Sequence, residues 1–161
     1  EYQSDTAPFD KLHLMTQKDG LHWCNHWFTD GQRKDDKAIT GFNLIVLDVD
    51  DGTPLSTAKM LLKDYKALFY TTKRHTPECN RYRIVLPTNY VLKLDRNDYK
   101  EFCKNLFEWL PFTVDESTGP RNRKWLSHNG HYEYQDGDLL DVLPFIPKTS
   151  KNEEVRERQQ C

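Results

Sequence analysis

At 161 residues the chain has the length of one domain and can bury roughly two-thirds of its unfolded surface, so disulfides are not required for folding. A hydrophobic fraction of 37% against 30% charged residues, with no apolar run near the roughly 18 residues that span a bilayer, argues against a membrane-spanning helix and predicts a soluble protein. The net charge of −2 excludes a global basic footprint, so any nucleic acid would meet local patches: Lys73, Arg74, Arg81 and Arg83, or Arg121, Arg123 and Lys124. Residues 1 to 40 are irregular and polar apart from an amphipathic stretch at 21 to 28, and are expected to form a β-rich extension packed on the core. Leu44 to Leu47 is an apolar run that reads as a buried strand, ended by the turn chemistry of Asp51-Gly52-Thr53-Pro54. Ser56 is placed to cap a helix reaching about residue 65, and Ala67 to Thr72 reads as the next strand. A loop over 73 to 80 leads into the strand Tyr82 to Leu86, which Pro87 is expected to stop, giving a hairpin-like pair. Asp95 or Asn97 caps a helix to about residue 110, with Tyr99, Phe102, Leu106 and Trp109 at three-four spacing. Phe112 to Val114, Lys124 to Ser127 and His131 to Tyr134 complete the expected strands.

The resulting order of strand, helix, strand, strand, helix, strand predicts an α+β fold with an RRM-like or ferredoxin-like split β-α-β core. The core is assigned to residues 41–147, preceded by the extension over 1–40 and followed by 148–161, a charged linker toward a further C-terminal region. Cys24, Cys79, Cys103 and Cys161 are scattered as expected for reduced thiols. The first residues show no signal-peptide pattern, so the expected location is cytoplasmic. The start at Glu1 is read as the start of an excised fragment.

Chemistry concentrates where the first core strand ends, in Asp48-Val49-Asp50. Two residues apart on a strand, Asp48 and Asp50 present their carboxylates to one face. Like charges so placed call for an Arg, a Lys or a cation, and hard divalent ions such as Mg²⁺ or Mn²⁺ prefer oxygen ligands of this kind; solvated acids at a strand-end turn are the other reading. Asp51 falls on the opposite side and reads as a turn residue. His22, Cys24 and His26 alternate in a way that could place three zinc ligands on one face, but no fourth ligand has convincing spacing, and an aromatic structural segment is the favoured reading.

Three separated pieces together resemble a known superfamily. Asp48-Val49-Asp50, then Thr71-Thr72 through His75-Thr76-Pro77 followed by Arg81-Tyr82-Arg83-Ile84-Val85-Leu86-Pro87, then Val114-Asp115 followed by Arg121 to Trp125, resemble the ordered motifs of archaeo-eukaryotic primases (AEP), in the branch found in replication proteins of phages and plasmids. The likeness runs over roughly residues 40 to 130. It implies a DNA primase or primase-polymerase, a template-directed nucleotidyltransferase excised from a larger replication protein and located in the cytoplasm of a bacterial host. Asp48, Asp50 and Asp115 are then the catalytic carboxylates, holding two Mg²⁺ or Mn²⁺ ions, and His75 contacts a phosphate of the incoming nucleotide. Lys73, Arg74, Arg83 and Arg121 or Arg123 balance the remaining phosphate charge. The implied partners are a single-stranded DNA template, nucleoside triphosphates, and a helicase or C-terminal domain of the same polypeptide, with no membrane. In this chain the family's short Ser-x-His becomes Thr72-Lys73-Arg74-His75. Two other classes compete. A haloacid-dehalogenase-like phosphatase also carries two acids after a hydrophobic strand, but it wants Gly directly after the second acid, where Asp51 intervenes. An RRM-like single-strand-binding module would stack bases on Tyr70, Tyr82 or Trp125.

Overall fold

The computed structural model describes residues 8–25, 27–28, 38–39, 41–115 and 123–147. A 3-10 turn at Phe9–Lys11 and the short helix α1 (His13–Thr16) lead to strands β1 (His22–Trp23), β2 (Trp27–Phe28) and β3 (Ala38–Ile39). The core follows as β4 (Phe42–Val49), α2 (Leu55–Leu61), β5 (Ala67–Thr71), β6 (Tyr82–Leu92) and α3 (Arg96–Trp109). β7 (Trp125–Leu126), β8 (Tyr132–Gln135) and a 3-10 turn at Leu143–Phe145 close the described chain. The fold is α+β.

The main sheet has the order β4-β6-β5-β8 with every neighbour antiparallel. β4 and β5 therefore run parallel, joined through α2, with β6 inserted between them, which is the split β-α-β unit. The expected fourth core strand at Phe112 to Val114 does not form. Its place beside β4 is marked by one bond, from the Asp115 N–H to the Asp48 carbonyl at 2.8 Å. β8 adds to the opposite edge instead, pairing Tyr70 with Tyr132 and Leu68 with Tyr134.

Alternation along the strands divides the core in two. Ile45, Leu47 and Val49 face the helices with Phe69, Tyr82, Ile84 and α3 residues Tyr99, Phe102 and Leu106. Val46, Leu68, Tyr70 and Val85 face the other way, where Trp23, Trp125, Phe9, Leu12 and Met15 cover them. The sheet is therefore buried on both faces, which accounts for the unbroken apolar run in β4. Tyr70, Tyr82 and Trp125 are all buried, so none presents a ring for base stacking.

Several local details depart from expectation for physical reasons. β6 continues through Pro87. In a strand a residue's N–H and C=O point to the same side, and the Pro87 carbonyl accepts from the Leu140 N–H at 3.0 Å, away from β4. The missing donor therefore removes no bond to β4, and Pro87 lies past the end of the β5 pairing, where a proline is tolerated. α2 begins at Leu55 after Pro54 with no side-chain cap from Ser56, and it ends before residue 65. Its first donor is met from elsewhere: the Leu55 N–H donates to Asn80 Oδ1 at 2.9 Å. α3 is capped as expected by Asp95, whose Oδ1 accepts from the Asp98 N–H at 2.9 Å. Asn80→Ala is expected to destabilise the fold by about 1 kcal/mol, comparable to Asp95→Ala, as read by urea unfolding. An unchanged midpoint for Asn80→Ala would show that water replaces this long-range cap. No helix among the described residues is long and apolar enough to cross a membrane.

Candidate metal centre

The antiparallel register brings the end of β4, the start of β6 and the end of β5 to one end of the sheet: Val49 pairs with Tyr82, which pairs with Thr71. One residue back, Asp48, Arg83, Tyr70 and Tyr132 form a row across all four strands. These directly paired residues share the face opposite the helices. Val114 buries its side chain in the helix-side core, so the adjacent Asp115 is turned toward Asp48. Asp48, Asp50 and Asp115 each offer a carboxylate oxygen within 4.8 Å of the others. They are the one His, Cys, Asp or Glu cluster of metal-binding geometry among the described residues.

The cluster is electrostatically strained at Asp48. Burial pushes its carboxyl above the ordinary carboxylate range; Arg83 and Arg123 oppose that rise while Asp50 and Asp115 add to it. Arg83 Nε stands 3.5 Å from Asp48 Oδ1 and Arg123 Nη2 stands 3.8 Å from Oδ2. Arg83 is tied down further. Its Nη1 donates to the Leu126 carbonyl at 2.7 Å and to the Tyr70 hydroxyl at 3.4 Å. Both guanidiniums lie over the buried Trp125 indole, at 5.2 Å for Arg83 and 5.0 Å for Arg123. The sequence places Trp125 in a strand, at the end of the third motif and among the base-stacking candidates, and none of these roles implies a platform beneath the two arginines. Its one signal was the Arg-Lys-Trp spacing of Arg123 to Trp125.

His75 lies outside the acidic cluster, in the β5–β6 loop that leaves the same end of the sheet. Its Nδ1 accepts from the Arg81 N–H at 3.1 Å, and its own N–H donates to the Thr72 carbonyl at 3.0 Å. A ring nitrogen that accepts an N–H carries no proton, so the neutral ring holds its hydrogen on Nε2, ready to donate. Lys73 and Arg74 are exposed on the same loop. Thr71 is used structurally: its Oγ1 accepts from the His131 N–H at 3.0 Å. Asp51 is the turn residue expected, its Oδ1 accepting from the Thr53 N–H at 3.0 Å and the Thr53 hydroxyl at 2.8 Å. Arg121 and His26 lie outside the described residues, as does the segment 148–161, so neither the Arg121 assignment nor a complete His22, Cys24 and His26 zinc set can be placed.

The raised Asp48 pKa has a stability consequence. A carboxyl raised in the folded state contributes stability that is present below its unfolded pKa and lost as pH rises through the folded value. Above that range the ionised Asp48 leaves the metal-free fold with the cost of its burial together with the repulsion from Asp50 and Asp115. Asp50→Asn, at an exposed position, is expected to raise the melting temperature in EDTA by about 2 °C near pH 7. The gain should vanish as pH falls and Asp48 becomes protonated. Thermal melts over a pH series check this, and a melting temperature lowered by the substitution at pH 7 would contradict it.

The family model of the VapE N-terminal domain matches residues 17–142. The chain belongs to the VapE N-terminal domain family. A fold match extends the likeness: the AEP domain of the cyanophage S-2L primase-polymerase (PrimPol) superposes with a TM-score of 0.53 at 15% identity, covering 88% of this chain and 78% of that one. The VapE N-terminal domain described here thus has an AEP-type fold. No curated protein matches it. The fold agrees with the primase resemblance read from the ordered motifs, and neither match lends support to the phosphatase alternative.

Proposed function

We propose that this domain is the catalytic domain of a primase or primase-polymerase, joining nucleotides on a single-stranded DNA template with two Mg²⁺ or Mn²⁺ ions held by Asp48, Asp50 and Asp115. The observation that carries the reading is the convergence of three carboxylates from two separate segments onto one end of an AEP-type sheet. Their donor set fits such ions: hard oxygens crowded closely enough that a divalent cation relieves their mutual repulsion. When bound, the ions supply activation of the attacking 3′-hydroxyl and neutralisation of the departing pyrophosphate.

The chain's own residues divide the remaining work. His75, its ring fixed by the Arg81 N–H, donates from Nε2 to a phosphate oxygen of the incoming nucleotide. Lys73 and Arg74 on its loop, with Arg123 and Arg121, attract and orient the triphosphate. Arg83 serves Asp48 instead, since the Leu126 carbonyl and the Tyr70 hydroxyl already hold its guanidinium. The partners are single-stranded DNA, nucleoside triphosphates, and a helicase or further region of the same polypeptide. The setting is the cytoplasm of a bacterium carrying the phage or plasmid. Incubation with a single-stranded template, nucleotides and Mn²⁺ should yield extended products that EDTA abolishes. Template-free hydrolysis of small phosphate esters without any extension would favour the phosphatase instead, and strand binding that survives EDTA without synthesis would favour a binding module.

A further inference from the structure

The two arginines at Asp48 are not equivalent. Arg83 is 12% exposed at its side chain and fixed by the Leu126 carbonyl, the Tyr70 hydroxyl and the Trp125 indole. Arg123 is 31% exposed, stands 3.8 Å from Asp48 Oδ2, and among the described residues is otherwise held by the same indole at 5.0 Å. Among the described residues the buried Nε lacks a hydrogen-bond acceptor in both arginines, so the difference between them lies at the outer nitrogens, which are bonded in Arg83. The oxygen it faces belongs to the carboxylate that also approaches Asp50 and Asp115, so a cation at that cluster and the Arg123 guanidinium contend for one carboxylate.

We propose that Arg123 is an internal stand-in for the divalent ion: it neutralises Asp48 in the metal-free domain, yields that carboxylate when the ion binds, and is thereby released to the phosphates of the incoming nucleotide, while Arg83 stays in place and aims Asp48. This rests on the metal-centre reading above and adds an order of events to it. Three features support the division. A guanidinium with few tethers and partial exposure exchanges partners at small cost, whereas one held by several bonds does not. A planar guanidinium sliding over an indole keeps its cation–π contact while its edge is re-aimed. A triphosphate offers bidentate acceptors that a carboxylate already ligating a metal no longer offers.

The competition predicts opposite signs for two binding constants in one variant. In Arg123→Gln, Mn²⁺ affinity measured by calorimetry at low salt should rise about threefold to fivefold, as expected for loss of one partly exposed ion pair. Nucleoside triphosphate affinity in saturating Mn²⁺ should fall by about tenfold or more through loss of the charged donor. Arg123→Lys, which keeps the charge, should restore Mn²⁺ affinity toward that of the unmodified chain. A residue that merely supports the fold would weaken both constants together. Unchanged or weakened Mn²⁺ binding in Arg123→Gln overturns the stand-in role while leaving the metal centre intact. Identical Mn²⁺ titrations for the unmodified chain and Asp48→Asn overturn the metal centre and the stand-in role together.

Discussion

Asp48→Asn and Asp50→Asn are each expected to reduce Mn²⁺-dependent nucleotide incorporation by at least roughly 10³-fold, because a catalytic divalent ion contributes several kcal/mol of charge stabilisation and each 1.36 kcal/mol is tenfold. The two substitutions should differ in every other respect. Asp50 is exposed, and its replacement removes repulsion from the cluster. Asp48 is buried between two arginines, so its replacement leaves Arg83 close to a neutral side chain in a poorly solvated place. Loss of activity with a raised metal-free melting temperature in Asp50→Asn would separate chemistry from folding. Asp51→Asn is the internal control, since among the described residues Asp51 bonds within its own turn to Thr53. It should retain activity within about threefold in the same incorporation assay, because Asn keeps an Oδ1 acceptor for both exposed turn hydrogen bonds and their weakening is modest.

Trp125→Ala should have the largest effect on stability, about 3–5 kcal/mol, as is usual for deleting a buried indole. For a chain of this size that corresponds to a melting temperature lower by roughly 10 °C. The loss is not only one of volume. Trp125 packs with Trp23, Val46, Leu68, Tyr70 and Val85 on the sheet face opposite the helices, and it carries both guanidiniums that flank Asp48. Removing it should therefore loosen the arginines as well as the core. Trp125→Phe keeps an aromatic face and should restore a substantial part of the lost stability. Melting curves that leave Trp125→Ala within about 2 °C of the unmodified chain would mean that this second core contributes little, contrary to the usual cost of such a cavity.

What could be read before the structure was known follows a physical boundary between local and distant causes. The apolar run into Asp48-Val49-Asp50, the Asp95 cap and the three-four spacing of Tyr99, Phe102 and Leu106 are local, and each was legible. The continuation of β6 through Pro87 was not, because it depends on Leu140 lying on the side where the donor is missing. Nor was the start of α2, capped by Asn80 from 25 residues away. The strand expected at Phe112 to Val114 shows the reverse error: its composition favours extension, but among the described residues the backbone bond to β4 comes from the Asp115 N–H, beyond that segment. At the site, period two placed Asp48 and Asp50 on one face. Neither the pairing of Asp48 with Arg83 nor the indole beneath both arginines had a local signature, since each arises from strand register and from Trp125 returning to the sheet late in the chain. The covering of that face by Phe9, Leu12 and Met15 was hidden for the same reason, and it closes the surface a base-stacking module would need.

Everything proposed for this domain depends on Asp48, Asp50 and Asp115 holding a divalent cation. Anomalous diffraction at the manganese edge from crystals equilibrated with Mn²⁺ tests it directly. A peak is expected with carboxylate oxygens of all three residues within about 2.2 Å, the contact distance typical of such small hard ions. A peak elsewhere, or none at these three carboxylates under saturating Mn²⁺, would contradict it.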